Sequence, residues 1–350
     1  MVPLQDAHLL TAELPGFTGH SVVAVFDGHG GDIASAMVQE RMLRTFLGNA
    51  KVQEYASKAP ALRAEEDAVE LLSAGLTETF LALDSEILDH LRGQGDTSGS
   101  TGVLVVVTPS HYICANAGDS RSILCRGPDV TTDIVELSHD HKPSNETEEA
   151  RIIQAGGSVM GGRVDGGLAV ARAFGDPEFK DKAHLPAERQ KVTADPEIIT
   201  VRRDPNDWFF ILACDGIWDV MSNAEAAQAT IQLLREGERD MGLCAEELLD
   251  QCLDLGSRDN MTMILCTFES GFKFKGDGIG YLRAARATKT AEAEASAPAG
   301  ARSGEVSDEQ KSAAQLKSEV QDMVEDKNDA LRQFEEPMKK HEEAMKALRK

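Results

Sequence analysis

Apolar residues recur along this chain with two different periods, and the points where the period changes outline its elements. Val22 to Phe26 is an unbroken apolar run that stops at Asp27-Gly28-His29-Gly30-Gly31, which reads as a strand delivering a carboxylate to the rim of a sheet. Beyond it, Ile33, Met37, Met42, Leu43 and Phe46 fall at roughly helical spacing, so a helix is expected from 31 to about 47. A longer one is expected over 61–91, where Val69, Leu72, Leu76, Phe80, Leu83 and Ile87 step by three or four. Then the period shortens. Residues 103–107, 112–115 and 122–125 are short, apolar and rich in β-branched residues, separated by Pro109-Ser110 and Gly118-Asp119, the pattern of an antiparallel meander. A helix over 145–155 should end at Gly156-Gly157, with a glycine-rich stretch to Gly175. Strands over 198–201, 209–213 and 263–268 and helices over 223–235 and 243–255 complete the pattern. Strands and helices come in blocks, which favours an α+β fold of antiparallel sheets packed with helices over a doubly wound parallel one.

Composition bounds what such a fold can do. With 350 residues, 41% of them hydrophobic, the chain can bury a substantial core. No stretch approaches the roughly 20 apolar residues of a membrane span, and the N-terminus shows no charged segment leading into an apolar one. No membrane association is expected, and the expected location is cytoplasmic, with the nucleus as the alternative. Six scattered cysteines without a Cys-x-x-Cys pair read as buried free thiols. The net charge of −23 argues against nucleic acid as a partner. An acidic protein can still act on phosphates if it recruits cations.

After about Tyr281 the composition changes. Residues 291–300, Ala-Glu-Ala-Glu-Ala-Ser-Ala-Pro-Ala-Gly, read as linker. We therefore expect a globular domain over 1–270, a linker over 271–306 and a charged helical tail over 307–350. In the tail Val324, Leu331, Met338 and Met345 repeat every seven residues, but Lys327 and His341 interrupt the seam and Pro337 breaks it. A monomer whose tail helix folds back or is solvated is preferred, with a partner-binding coiled coil on the tail and disorder as the alternatives.

Three apolar runs carry an aspartate at one end: Asp27, Asp215 after Phe209 to Cys214, and Asp259 ahead of Met261 to Leu265. One Asp-Gly is an ordinary turn. Three strand-end carboxylates together point to a metal site, and oxygen-only ligands suit hard cations such as Mg²⁺ or Mn²⁺. The segment from Gly156 to Gly167 lacks the spacing of a nucleotide-binding loop and reads as turns.

Gln5-Asp6-Ala7-His8, Val25-Phe26-Asp27-Gly28-His29-Gly30-Gly31, Ala117-Gly118-Asp119-Ser120-Arg121 and Asp140-His141-Lys142-Pro143 form an ordered set with Ala155-Gly156-Gly157-Ser158-Val159 and Leu168 to Asp176. Ala194-Asp195-Pro196-Glu197, Ala213 to Val220 and Gly256 to Thr262 continue it. Over about residues 4 to 268 the set resembles the metal-dependent protein serine/threonine phosphatases of type 2C. The resemblance implies a four-layer αββα sandwich, two central antiparallel sheets flanked by helices, with a two-metal centre at one edge. It implies that Asp27 bridges both metals, that the Gly28 carbonyl serves one, and that Asp215 and Asp259 hold the other. Asp119, Asp215 and Asp219 would form a weaker third cluster, and Asp6 would act through water. The implied activity is hydrolysis of phosphoserine and phosphothreonine in phosphoproteins by metal-activated water, with His29 protonating the departing oxygen; the alternative for His29 is a hydrogen bond within its turn. Residues 176–192, with Lys180, Lys182 and Arg189, resemble the family's variable flap, whose basic residues are candidates for phosphopeptide contact, the equal alternative being a plain surface loop. Arg163, Arg172 and Arg258 are either substrate clamps or organisers of carboxylates.

The first motif departs from the family pattern. Gln5 stands where a glutamate is usual, and Met1 falls where a phosphate-binding arginine would be. An amide brings no negative charge, so weaker metal affinity is expected, and loss of the arginine should cost substrate affinity more than chemistry. The segment that supplies the family's first strand is likewise expected to be missing from the given sequence, which would leave a neighbouring strand edge exposed. We expect the sequence to be part of a longer protein rather than a divergent member, the alternative being an activity-impaired module that binds phosphoproteins or a partner.

Overall fold

A computed structural model describes residues 4–127 and 133–268. The linker, the heptad tail and the end of the first domain at 270 lie outside the described residues. The strands in chain order are β1 (Ala7–Thr11), β2 (Ser21–Phe26), β3 (Gly28–His29), β4 (Gly99–Ser100), β5 (Gly102–Val107), β6 (His111–Ala117), β7 (Arg121–Arg126) and β8 (Asp133–Glu136). They continue as β9 (Val159–Met160), β10 (Arg163–Val164), β11 (Phe174–Gly175), β12 (Glu197–Arg202), β13 (Asp207–Ala213) and β14 (Met263–Thr267). The helices are α1 (Ile33–Gly48), α2 (Ala50–Ser57), α3 (Glu66–Gln94), α4 (Glu146–Gln154), the single turn α5 (Asp215–Trp218), α6 (Asn223–Arg235) and α7 (Met241–Asp254). None of the described helices is long and apolar enough to cross a membrane.

Two antiparallel sheets carry the fold, in the orders β1-β2-β5-β6-β12 and β14-β13-β7-β8. The continuous apolar run of β2 follows from its position between two cores. Val22, Ala24 and Phe26 join a cluster with Val38 and Met42 of α1 and Leu76, Phe80 and Leu83 of α3. Val23 and Val25 face the other way and pack with Leu124, Phe210 and Leu212 of the second sheet. Both faces of the strand are thus apolar, as period-two geometry requires of a strand buried on two sides. The helices α6 and α7 pack on the second sheet at β8 and β14, so the architecture is the α+β layering implied by the sequence.

The expected helix over 61–91 is divided. Pro60–Ala64 forms a 3₁₀ turn and α3 begins at Glu66, while Gly95, with φ of 69°, ends it in a left-handed cap. Helix α6 has a full capping box between Ser222 and Glu225. Cys114, Cys125, Cys214, Cys244 and Cys252 are buried free thiols and Cys266 is half-buried.

Register brings the functional segments to one edge. Ala117, the last residue of β6, lies opposite Gly102, and Ala213, the last of β13, lies opposite both Arg121 and Met263. The turn after β6, the turn after β13 and the loop before β14 therefore meet at the same end of the sandwich, beside the end of β2.

Candidate metal centre

At that edge Asp27, Asp119 and Asp215 converge, each offering a carboxylate oxygen within 4.8 Å of the others. They line a cavity of about 220 Å³ with Gly28, His29, Gln5, Thr101 and Asp259. Backbone geometry fixes the ring. Thr101 N donates to the Asp27 carbonyl at 2.8 Å, its hydroxyl accepts from Asp27 N at 3.2 Å, and the same hydroxyl meets Ser120 Oγ at 2.8 Å, next to Asp119. Asp215 opens α5, and Asp219 follows one turn later, donating its N–H to the Asp215 carbonyl at 2.8 Å. Asp219 and Asp259 are exposed at the rim, outside the tight group of three.

Bringing carboxylates together out of water is costly, and their acidity records it. Burial first, then the charges of Asp215, Asp6 and Asp119, pushes Asp27 up to about 9. Burial, followed by Asp119, Asp219 and Asp259, pushes Asp215 up to about 6. Burial also raises Asp119, against the ammonium of Lys142, which contacts its Oδ2. A group of carboxylates that cannot ionise together without a counter-charge is suited to divalent cations. Asp6 adds a second sign of the same kind. Thr262 Oγ1 donates to its Oδ2 at 2.7 Å, whereas its buried Oδ1 has no hydrogen-bond partner. An orphaned carboxylate oxygen beside three converging ones, all hard donors, fits a site for a hard metal ion.

His29 sits at the cavity wall with Nε2 held by both oxygens of Asp176, at 3.0 and 2.9 Å. Burial pulls the imidazole pKa down, but the Asp176 carboxylate outweighs it and the net shift is upward. Asp176 adopts a left-handed conformation, φ 54°, and is buried. The pair is possible because position 99 is glycine: a Cβ there would lie 2.2 Å from Asp176 Oδ2 and 2.3 Å from His29 Nε2. Gln5, oriented to satisfy its neighbours, donates from its amide nitrogen to the Gly28 carbonyl at 3.3 Å and accepts from Gly31 N at 3.1 Å. Its backbone N–H also donates to Asn260 Oδ1 at 2.8 Å, tying the first strand to the Asp259 loop.

Comparison with known proteins decides the family. The family model described as protein phosphatase 2C matches residues 2–261. The chain belongs to the protein phosphatase 2C family. Protein phosphatase 1B of Mus musculus is 37% identical over 281 residues, which cover 79% of this chain and 70% of the relative. Protein phosphatase 1A of Homo sapiens is 38% identical over 282 residues, with the same shares of 79% and 70%. A crystal structure of serine-threonine phosphatase 2C from Toxoplasma gondii superposes with a TM-score of 0.68 at 26% identity, covering 77% of this chain and 92% of that one.

Within this 2C-family fold the other candidates separate. Arg172 is an organiser: Nε and Nη2 donate to Glu148, at 3.1 and 2.6 Å, and Nη1 to the Asp195 carbonyl at 2.9 Å. Arg258 is exposed and does not line the cavity, whereas Arg163 does. One expectation is corrected. Lys180 of the flap is not free for a phosphopeptide, because its ammonium is buried against Asp84 at 2.7 and 2.8 Å and the Ala173 carbonyl at 2.7 Å. Three participants carried no signal as site residues in the sequence: Thr101, Lys142 and Asp176. The last two stand inside motifs that were legible, Asp-His-Lys-Pro and Ala-Phe-Gly-Asp.

Proposed function

We propose that this chain hydrolyses phosphoserine and phosphothreonine in phosphoproteins, using Mg²⁺ or Mn²⁺ held by Asp27, the Gly28 carbonyl, Asp215 and Asp259, with Asp119 and Asp219 at a weaker site and Asp6 behind. The convergence of the Asp27, Asp119 and Asp215 oxygens within 4.8 Å carries this reading. A bound pair of divalent cations supplies charge neutralisation at a phosphoryl group and lowers the pKa of water. The chain's own residues do the rest. Thr101 and Ser120 hold the carboxylate-bearing turns in register before any substrate arrives. His29 is the proton donor to the departing seryl or threonyl oxygen: Asp176 engages Nε2 and favours the charged ring, leaving Nδ1–H for the leaving group. The buried thiol of Cys214, raised by burial, is unsuited to act as a nucleophile.

The test is release of phosphate from a phosphoserine peptide with Mn²⁺, with Mn²⁺ plus chelator, and with Asp215→Asn. We expect chelator to abolish release and the variant to lose roughly 100-fold or more, since a ligand should matter at least as much as the partners that orient it. Equal rates in all three would overturn the proposal.

A further inference from the structure

We propose that Asp84, paired with Lys180, is a positioning residue that holds Asp176 against His29 for proton delivery, an inference that rests on the phosphatase reading above. Asp84 stands on the buried face of α3 that also carries Phe80, Leu83 and Ile87. Both of its carboxylate oxygens are engaged. Oδ1 accepts from Gly175 N at 2.8 Å and from Lys180 Nζ at 2.7 Å, and Oδ2 accepts from the same ammonium at 2.8 Å. The ammonium, which has three donors, also reaches the Ala173 carbonyl at 2.7 Å. Two charges buried together gain little stability over an apolar pair of similar volume. What this ion pair adds is direction, because it fixes three points of one short segment.

That segment carries Asp176. Ala173, Gly175 and Lys180 bracket it, so the lysine folds residues 173–180 into a loop closed on the carboxylate of α3. Asp176 is left-handed within the loop, at φ 54°, a conformation that a non-glycine residue keeps only where its surroundings over-determine it. Its N–H donates to the Ser98 carbonyl at 3.0 Å, and its own carbonyl accepts from Phe179 N at 3.0 Å. Helix α3 holds the far end of the loop a second time, through Arg92 Nη2, which donates to the Lys180 carbonyl at 2.8 Å. Three short strands then pass this placement to the site. Gly175 of β11 lies opposite Gly99 of β4, and Gly99 lies opposite His29 of β3. Neither Asp84 nor Lys180 lines the metal cavity. The pair therefore acts on the reaction through the contact between Asp176 and His29.

The experiment removes the pair as a unit, in full-length Asp84→Asn/Lys180→Met, so that no charge is left buried alone and an oxygen remains for Gly175 N. With Mn²⁺ present, kcat is measured on a phosphoserine peptide and on p-nitrophenyl phosphate, in the wild-type and in the His29→Ala background. We expect kcat on the peptide to fall roughly tenfold, as misplacement of a catalytic group does, with little change on p-nitrophenyl phosphate, whose leaving group needs no proton. In the His29→Ala background the pair's removal should cost nothing further. Asp84→Asn alone is the milder second variant and should show the same split in smaller measure. An unchanged peptide kcat, equal losses on the two substrates, or a full loss persisting without His29 would overturn the inference. A second readout does not depend on turnover: the hydrogen-bonded ring N–H of His29, assigned in histidine-labelled protein by its loss in His29→Ala, should be seen by NMR in the wild type and vanish in the double variant. If the wild type showed no Mn²⁺-dependent turnover the phosphatase reading would fail, and an N–H signal unchanged in the double variant would separately overturn the positioning role.

Discussion

His29 and Asp176 make the residue-scale case most clearly. The two side chains are 147 positions apart, yet they form a two-oxygen contact at the wall of the metal cavity. If His29 supplies the proton for the leaving oxygen, the benefit depends on how much the leaving group needs it. His29→Ala should therefore slow hydrolysis of phosphoserine peptides by roughly 100-fold or more, while p-nitrophenyl phosphate, whose leaving group is stable as an anion, should lose far less. Steady-state rates on the two substrates check this, and equal losses would assign His29 a purely structural role. Asp27, Asp215 and Asp259 were legible in the sequence because each stands at the end of an apolar run, whereas Asp6, Asp119 and Asp219 were named only through the family resemblance. Asp176 was not legible as a partner of His29, since nothing in the spacing of 147 residues marks a contact. Lys180 was misread for a related reason: a lysine in a polar loop looks solvent-exposed, and only packing reveals that Asp84 on α3 receives it.

At the scale of elements, the loop from His139 to Pro143 braces the turn that carries Asp119. His141 accepts from Gly118 N at its Nδ1, 3.3 Å, and its backbone N–H donates to the Gly118 carbonyl at 2.9 Å. Burial, then the charge of Arg172, lowers its pKa to about 4 from an ordinary 6.5. Between those values the unfolded chain binds a proton that the folded chain refuses, so stability is full above pH 6.5 and declines as pH falls toward 4. The loss should reach roughly 3 kcal/mol, from 1.36 kcal/mol per pKa unit. Urea unfolding at pH 7 and at pH 4 measures it. His141→Gln should show a smaller difference between the two; an undiminished difference would place the acid sensitivity elsewhere. The sequence anticipated most long elements, because their apolar periods are strong. It missed α2, whose buried residues are only Val52 and Tyr55, and β8, whose Asp-Ile-Val-Glu is too short and polar to stand out. The tract before α3 is divided at Glu65, whose extended backbone (ψ 150°) separates the 3₁₀ turn from the helix, and the apolar positions that marked the helix begin only at Val69.

Over the described residues, two facing sheets bring acids from both to one edge. Asp27 and Asp119 follow strands of the first sheet, while Asp215 and Asp259 flank strands of the second. The centre thus lies across the seam of the sandwich, and the charge repulsion there is the counterpart of its capacity for cations. The membership of the chain in the protein phosphatase 2C family and the layered α+β fold were both legible from ordered motifs. The register that brings their turns to one edge was not, because strand pairing between distant segments is set by packing. The most direct measurement of the central claim is a calorimetric Mn²⁺ titration of the wild-type chain beside Asp27→Asn. The account predicts that the wild type binds Mn²⁺ and that Asp27→Asn, lacking the carboxylate at the centre of the group, loses most of that binding; equal titrations for the two proteins would contradict it.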